Sequence, residues 1–349
     1  MSTRINRRAA AAVIAGIVAS AGAGILPALA ATQLTGAGST FVYPFFSKAF
    51  YTYSQSHNDV TVNYQPIGSG GGIQQFIAKT VDFGASDVPM NGDELKRAGG
   101  PVVQIPVALG GEAITYNLPT SIPGGLRLTR EAVAEIYLGK ITRWNDPLLE
   151  KLNPRASLPN LPIVTVHRSD GSGTTYIFSD FLSSVSKDWK DKVGTGKSVQ
   201  WPGSNTVGGK GNDGVAGQVR QTQGAIGYVE LAYAIENKMA TAQLQNKSGK
   251  WLFCTESTVK AAAATKANVS PTDFSIVDRS GDNAYPIAGY TWAFVYENPS
   301  DKGRAKLVRD VLGWVTGDDA QKLAGSLNYV PLPDAIQETA KKALAQVKV

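Results

Sequence analysis

One local pattern recurs along this sequence: a run rich in β-branched residues, a cluster of glycine and serine, then apolar residues at helical spacing. Residues 60–64 (VTVNY) precede the cluster at 68–72, which is followed by Ile73, Phe76 and Ile77. Residues 163–166 likewise precede the cluster DGSGT, and apolar residues follow at i, i+3, i+4 and i+7. Such alternation of strands and helices predicts an α/β fold rather than a sandwich or a helix bundle.

A third cluster, GAGSTF at residues 36–41, precedes apolar residues at helical spacing from Phe45 to Phe50. Free backbone N–H groups and the helix dipole make the start of a helix attractive to an oxyanion. In each cluster we expect a Ser or Thr to cap the helix and to offer a hydroxyl to the ligand. One such cluster is typical of an ordinary capped turn, but three together favour an anion site.

Two acidic residues and one arginine give this predicted site its chemistry. Arg168 lies two residues before Asp170, so an extended strand end would point both side chains to one side. The carboxylate could then hold the guanidinium for bidentate binding of an anion, although a surface ion pair fits the same spacing. Asp87 would repel a bare oxyanion, but it can accept the proton of phosphate, which sulfate lacks. Asp87 therefore predicts selection of phosphate over sulfate.

The first 30 residues have the form of an export signal. A basic start (MSTRINRR) is followed by a weakly apolar stretch at 9–26 and by Ala28-Leu29-Ala30. A membrane anchor is the other interpretation of 18 apolar residues, but this stretch is mostly alanine and glycine and ends at a proline. We expect cleavage after about Ala30 and an exported, soluble chain; the sequence leaves the Sec and twin-arginine routes open.

Charge and composition remove several function classes. The formal net charge of +6 falls to +3 without the three arginines of the first eight residues, and no later basic run indicates a nucleic-acid partner. A single cysteine, Cys254, and two histidines argue against an internal disulfide and against a zinc site built from His and Cys, and we predict no metal site. Residues 209–214 match GxGxxG, but they follow the Pro- and Gly-rich stretch 202–208 where a dinucleotide fold has a strand. We interpret them as a turn and predict no cofactor.

Seven segments, in this order, closely resemble the periplasmic phosphate-binding proteins (PstS type) of ABC-type phosphate transporters. They are LTGAGSTF, YQPIGSGGG, VDFGASDVP, IYLGKITRWND, RSDGSGTTYIF, GGKGNDGVAG and GAIGYVE. The similarity runs from about Leu34 to the C-terminal helices. It implies an α/β, two-lobed, hinge-closing binding protein of type II, in which each lobe is a mixed sheet flanked by helices.

The resemblance also implies how the chain is divided and what it does. Lobe I comprises residues 31–111 and 288–349, and lobe II comprises residues 112–287, with crossings near Gly111 and Ile287. The protein would be a monomer and not an enzyme. It would bind inorganic phosphate with high affinity in the periplasm and deliver it to a membrane permease driven by an ATPase.

The family's ligand contacts map onto positions that are all filled in this sequence. The implied phosphate-binding residues are Thr40, Phe41, Ser69, Asp87, Arg168, Ser172, Gly173 and Thr174, and Asp170 would orient the arginine. Three positions depart from the usual pattern: Ser39 stands where alanine is frequent, Gly70 where a second serine is frequent, and His167 at a commonly basic position. None of these departures removes an implied ligand contact.

Two alternatives remain at this point. A secreted phosphatase could use the same anion pocket with Ser69 or Ser172 as nucleophile, but it needs a general base or paired metal-binding carboxylates. The implied pocket offers one free carboxylate, Asp87, and no histidine, so binding without catalysis is favoured. Arsenate shares the shape and proton of phosphate, and the sequence sets no ratio between the two anions.

Overall fold

The computed structural model describes residues 31–349, and the predicted signal peptide lies outside them. The strands are β1 (Thr32–Gly38), β2 (Val60–Gln65), β3 (Phe83–Ser86), β4 (Val102–Tyr116), β5 (Arg127–Leu128), β6 (Val164–Arg168), β7 (Thr206–Gly209), β8 (Ala225–Glu230), β9 (Ala240–Thr241), β10 (Gln243–Gln245), β11 (Trp251–Leu252) and β12 (Ala288–Tyr296). The helices are α1 (Tyr43–Ser56), α2 (Ser69–Ile77), α3 (Gly92–Ala98), α4 (Arg130–Tyr137), α5 (Pro147–Leu152), α6 (Gly173–Val185), α7 (Lys187–Lys192), α8 (Gly211–Gln221), α9 (Leu231–Glu236), α10 (Glu256–Ala264), α11 (Lys302–Val315), α12 (Asp318–Ser326) and α13 (Asp334–Leu344). The predicted α/β class is confirmed.

Nine strands form one mixed sheet in the order β2-β1-β3-β12-β4-β8-β6-β7, with β9 also paired to β4. The β1–β2, β1–β3, β6–β8 and β6–β7 pairs are parallel, whereas β12 runs antiparallel to both β3 and β4. The short strands β5, β10 and β11 form a second, smaller sheet. Helices cover the main sheet, and its strands are therefore apolar along most of their length, as β12 (AGYTWAFVY) illustrates.

Strand β4 changes its neighbour part-way along its length. Residues 102–111 pair with β12, and residues 112–116 pair with β8. The chain returns beside this point, because the amide of Glu112 donates to the carbonyl of Ile287 at 2.9 Å. One continuous strand thus joins the half of the sheet that contains β1, β3 and β12 to the half that contains β6 and β8.

A close contact between two glycines fixes α2 on β1. A Cβ atom built on Gly72 would lie 2.3 Å from the Cα atom of Gly38, 2.6 Å from the carbonyl oxygen of Ala37 and 3.0 Å from that of Ala85. All three neighbours are backbone atoms, so they cannot rotate away as a side chain can. Glycine at position 72 therefore allows α2 to start directly above the ends of β1 and β3.

Two local expectations fail at the glycine clusters. Residues 209–214, interpreted above as a turn, contain the last residue of β7 and, from Gly211, the first turn of α8. The segment 202–208 is not entirely loop, because β7 begins at Thr206 and pairs in parallel with β6, from Thr165 opposite Thr206 to Arg168 opposite Gly209. This edge strand is only four residues long and two of them are glycines, so the local strand signal is weak and its pairing depends on β6.

None of the helices within residues 31–349 combines the length and apolar character needed to span a lipid bilayer.

Candidate functional site

Asp87 follows β3 and is surrounded by three hydroxyl groups. Ser39 Oγ donates to its Oδ1 at 2.5 Å, and Thr291 Oγ1 donates to the same oxygen at 2.7 Å. Ser69 Oγ lies 3.3 Å from Oδ2 and accepts the amide of Asp87 at 3.2 Å. The carboxylate is 2% exposed, and Ser39, Ser69 and Thr291 are fully buried. The hydroxyls thus solvate a carboxylate that has lost its water.

The register of the sheet explains why these residues meet. Gly38 on β1 pairs with Ala85 on β3, so Ser39 emerges from β1 beside the end of β3. Trp292 on β12 pairs with Ser86, which places the preceding residue, Thr291, next to Asp87. Polar side chains from the ends of β1 and β3 and from within β12 therefore converge on one point.

Arg168, the last residue of β6, is held by Asp170. Its Nε donates to Oδ1 at 2.8 Å and its Nη2 donates to Oδ2 at 2.6 Å, while Nη1 donates to Thr174 Oγ1 at 3.1 Å. The amide of Gly211, at the start of α8, also donates to Asp170 at 3.1 Å. The predicted pairing of Arg168 with Asp170 is confirmed, and it is a buried pair rather than a surface one, because Arg168 is 5% exposed.

The start of α6 lies against Asp87. Ser172 caps this helix, since its Oγ accepts the amide of Thr175 at 3.0 Å. A Cβ atom built on Gly173 would lie 2.5 Å from Asp87 Oδ2 and 2.6 Å from Ser69 Oγ. The N–H groups of the first helical turn and the positive end of the helix dipole therefore lie beside Asp87.

Thr40 and Phe41 are fixed from the opposite side by α8, α9 and the segment after α12. Thr40 Oγ1 accepts from the amide and the side-chain Nδ2 of Asn212 at 3.2 and 2.9 Å, which leaves its own proton free to be donated. Tyr233 donates to the carbonyl of Thr40 at 2.6 Å, and Tyr329 donates to that of Phe41 at 2.5 Å. Only the backbone of Phe41 can serve the site, because its ring packs edge-on against Tyr329 in the core.

The two carboxylates of the site have opposite pKa shifts. Burial raises the pKa of Asp87 to about 6, although the hydrogen bonds from Ser39, Thr291 and Ser69 and the charge of Arg168 act to lower it. Burial also acts to raise the pKa of Asp170, but the hydrogen bonds and charge of Arg168 outweigh it and hold that pKa below its ordinary value. At neutral pH both groups are ionised.

The structure brings the predicted site residues together in two groups, which adjoin at Gly173 and Thr174 at the start of α6. One part contains Asp87, Ser69 and Gly173, and the other contains Arg168, Asp170 and Thr174 with Thr40 linked through Asn212; Ser172 and Phe41 adjoin these groups along the chain. Asn212 Nδ2 completes the link, because it also donates to Thr174 Oγ1 at 3.2 Å.

Comparison with known proteins assigns the family. Residues 27–319 match the family model described as the PBP superfamily domain. The chain is 46% identical over 306 residues to the phosphate-binding protein PstS of Xylella fastidiosa strain Temecula1, which covers 86% of this chain and 82% of that protein. It is 43% identical over 322 residues to the protein of the same name from Haemophilus influenzae, covering 91% and 94%.

The chain belongs to the PstS family of phosphate-binding proteins. Solved structures agree on the fold. A high affinity periplasmic phosphate-binding protein (PfluDING) bound with phosphate superposes with a TM-score of 0.71 at 20% identity, covering 89% of this chain and 93% of that one. A phosphate binding protein from Stenotrophomonas maltophilia gives a TM-score of 0.68 at 20% identity, covering 89% and 94%.

Within this PstS family member, sequence reasoning missed the roles of three polar residues. Thr291 and Asn212 were not predicted at the site, and Ser39 was noted only as a departure from the family pattern. Two of the three predicted helix caps are also wrong: α1 begins after Val42 and α2 after Gly68, neither with a capping side chain. Ser39 and Ser69, the serines in these two clusters, instead donate to Asp87. The role of Ser39 could not be predicted from local sequence, because its acceptor, Asp87, lies 48 residues away in the chain.

A second acidic pair of this PstS family member differs from Asp87 and Asp170 in its pKa shifts. Glu112 on β4 and Glu230 on β8 are direct cross-strand partners, and both are fully buried. Burial raises the pKa of both glutamates well above the ordinary value. Burial thus favours the protonated form of both glutamates, whereas Asp87 and Asp170 are the charged carboxylates near Arg168.

Proposed function

We propose that this protein binds inorganic phosphate with high affinity and delivers it to an ABC-type importer. The observation that carries the proposal is the presence of two opposite charges in one buried site: the ionised carboxylate of Asp87 and the fixed guanidinium of Arg168. The guanidinium and the first turn of α6 attract an oxyanion, whereas the carboxylate accepts a proton from it. A protonated oxyanion such as phosphate satisfies both, and sulfate leaves Asp87 facing bare oxygen.

Eight residues would hold the anion in this proposal. Arg168 supplies charge from a position that Asp170 fixes in advance, so little side-chain entropy is lost on binding. Asp87 accepts the ligand proton, and the remaining groups donate hydroxyl or backbone hydrogens to its oxygens. They are Thr40, Phe41, Ser69, Ser172, Gly173 and Thr174.

We further infer that the site closes between two lobes, residues 31–111 with 288–349 and residues 112–287. Three contacts across this division support closure: the amide of Gly70 donates to the carbonyl of Gly171 at 2.8 Å, Asn212 binds Thr40, and Lys197 Nζ lies 2.5 Å from Glu94 Oε1. The change of partner along β4 at residues 111–112 gives a natural place for the hinge.

The proposal includes the setting in which the protein acts. Export to the periplasm after cleavage near Ala30 would place the binding site outside the cytoplasm, as a monomer that meets the permease and ATPase of a phosphate transporter. The names of the relatives support the ligand. A phosphatase gains no support from the site. Asp170 is engaged by Arg168, and Ser172 Oγ caps α6 by accepting the amide of Thr175.

Calorimetric titration with phosphate and sulfate at neutral pH tests the ligand, using the chain freed of carried-over phosphate. We expect the native protein to bind phosphate tightly and sulfate not at all. Asp87→Asn should lose about tenfold to hundredfold in phosphate affinity, the value of one charge-assisted hydrogen bond. The donors Ser39 and Thr291 would hold the amide oxygen, so the NH2 group, which cannot accept the ligand proton, would face the anion. The same amide can donate to sulfate, so the variant should gain measurable sulfate binding.

Asp310→Asn is the control for this titration, because Asp310 pairs with Lys306 on α11 and does not contact the site. It should leave both titrations unchanged. Absence of phosphate binding by the native chain, or equal binding of both anions, would contradict the proposed function.

The Lys197–Glu94 ion pair gives a separate prediction about closure. It is largely buried, and the carbonyl of Lys197 also accepts the amide of Ser172 at 2.8 Å. Glu94→Gln keeps an acceptor for the amide of Asn91 at the start of α3 but removes the charge. We expect stopped-flow measurements to show phosphate dissociation about threefold to tenfold faster, corresponding to about 1 kcal/mol.

The matched control is Asp191→Asn, which breaks an ion pair with Lys187 inside α7 and should leave the dissociation rate unchanged. The difference between Glu94→Gln and the native protein should shrink at high salt, since screening weakens the pair. An unchanged dissociation rate in Glu94→Gln would show that the ion pair does not hold the closed form.

A further inference from the structure

The two oxygens of Asp87 have different surroundings. Oδ1 accepts two short hydrogen bonds, from Ser39 at 2.5 Å and from Thr291 at 2.7 Å. Oδ2 has only the longer contact with Ser69 at 3.3 Å, and it is the carboxylate oxygen nearest to a Cβ built on Gly173. The carboxylate therefore turns one saturated oxygen toward the sheet and one oxygen with free lone pairs toward the start of α6.

We propose that Ser39 and Thr291 are positioning residues that determine anion specificity, because together they saturate Oδ1 of Asp87 and leave Oδ2 as its acceptor for a ligand proton. The inference rests on the proposed function and deepens it. A carboxylate with one free acceptor selects an anion that brings a proton to that one place. Neither residue needs to touch the ligand to have this effect.

The same asymmetry decides what happens when Asp87 itself takes up a proton. Two donors already occupy Oδ1, so the added proton goes to Oδ2, on the side of α6. Asp87 then becomes a donor at the place where it was an acceptor. A fully deprotonated oxyanion such as sulfate, rejected by the ionised carboxylate, can then be accommodated.

The groups around Asp87 determine the pH at which this change occurs. Arg168 faces it from β6, Glu112 from β4, Tyr64 from β2, and Tyr329 from the segment after α12. Burial raises the pKa of Glu112 and of both tyrosines well above the ordinary values and so favours their neutral forms, while the charge of Arg168 acts to lower the pKa of Asp87. The hydroxyls of Ser39 and Thr291, with Arg168, therefore oppose the burial that raises the pKa of Asp87 to about 6.

Sulfate is the suitable probe, because it does not titrate between pH 5 and 8 and any change in its binding reports on the protein. In the native protein we expect sulfate binding to appear as the pH falls through about 6. Ser39→Ala removes a donor that lowers the pKa of Asp87, so the pKa rises and sulfate binding should begin about one pH unit higher. Phosphate affinity at pH 7.5 should fall about tenfold in the same variant.

Thr291 allows a matched pair of variants. Thr291→Val removes the hydroxyl and should shift the onset of sulfate binding upward, whereas Thr291→Ser keeps the hydroxyl and should restore the native profile. Ser86→Ala is the control for loss of a buried hydroxyl beside Asp87, because Ser86 Oγ donates to the carbonyl of Val88 and not to the carboxylate. Thermal unfolding of each variant confirms that it is folded over the pH range of the titration.

The outcomes separate this inference from the function on which it rests. If sulfate binding begins at the native pH in both Ser39→Ala and Thr291→Val while phosphate is still bound tightly, the positioning role is wrong and phosphate binding stands. Absence of sulfate binding from every protein between pH 5 and 8 overturns it as well. Failure of the native protein to bind phosphate at pH 7.5 refutes the proposed function instead.

Discussion

Replacement of Arg168 by methionine is expected to weaken phosphate binding about a thousandfold, corresponding to about 4 kcal/mol. The variant loses the guanidinium that provides charge-assisted hydrogen bonds to the anion. It also leaves the Asp170 carboxylate, which is 13% exposed, without its partner. Removal of one partner from a buried charge pair alone costs about 2–5 kcal/mol. Calorimetry with phosphate at neutral pH measures the loss.

Asp170→Asn separates the charge of Arg168 from its orientation. The guanidinium remains, but it loses the ionised partner that fixes both Nε and Nη2. We expect a smaller loss of phosphate affinity, about tenfold to hundredfold, because the cation is present and must be ordered by the ligand itself.

Arg304→Met is the control for removing an arginine from an ion pair. Arg304 contacts both oxygens of Asp82 through Nε and Nη2, as Arg168 does with Asp170, but it lies on α11 and is 37% exposed. Phosphate affinity should not change in this variant. Arg168→Met binding phosphate within tenfold of the native protein would show that Arg168 does not contact the anion.

Replacement of Gly72 by alanine is expected to lower the free energy of unfolding by about 3 kcal/mol, the upper range for overpacking. The added Cβ would lie 2.3 Å from Gly38 Cα and 2.6 Å from the carbonyl oxygen of Ala37, and neither atom can move without the backbone. The start of α2 would have to shift, taking Ser69 away from Asp87. Urea unfolding measures the stability, and phosphate titration of the folded fraction should show weaker binding.

Gly217→Ala is the matched control, because Gly217 lies in helix α8 with open space around its Cα. Alanine is the better helix former, so this variant should gain up to about 1 kcal/mol. The two glycine-to-alanine changes are thus expected to have opposite signs. Equal effects would mean that helix propensity, and not the contact between Gly72 and Gly38, determines the result.

Local spacing predicted the parts of the site that are local in the chain. Arg168 and Asp170 are two residues apart, and the extended end of β6 alone brings their side chains together. The chemistry of a carboxylate beside an anion site singled out Asp87, and the resemblance supplied the remaining proposed ligand residues. Thr291 could not be predicted in this way, because it is 204 residues from Asp87 and reaches it only through the β3–β12 register.

The failed predictions have the same physical origin. The pattern around Ser39 and Ser69 is typical of helix caps, but a buried carboxylate without water binds those hydroxyls more strongly than a helix end does. β7 escaped notice because its glycines carry no strand signal and the partner strand β6 supplies the pairing. Local propensity decided the outcome where no stronger long-range partner was available.

The position of β12 between β3 and β4 has a consequence for the order in which the protein can form. During synthesis, residues 83–86 and 102–111 are complete about 180 residues before the strand that joins them. Until residue 296 emerges, the nascent chain has two unpaired apolar edges, which are the segments most prone to pair with another molecule. The first third of the sequence thus depends on its last fifth, and a chain truncated before β12 should aggregate rather than fold.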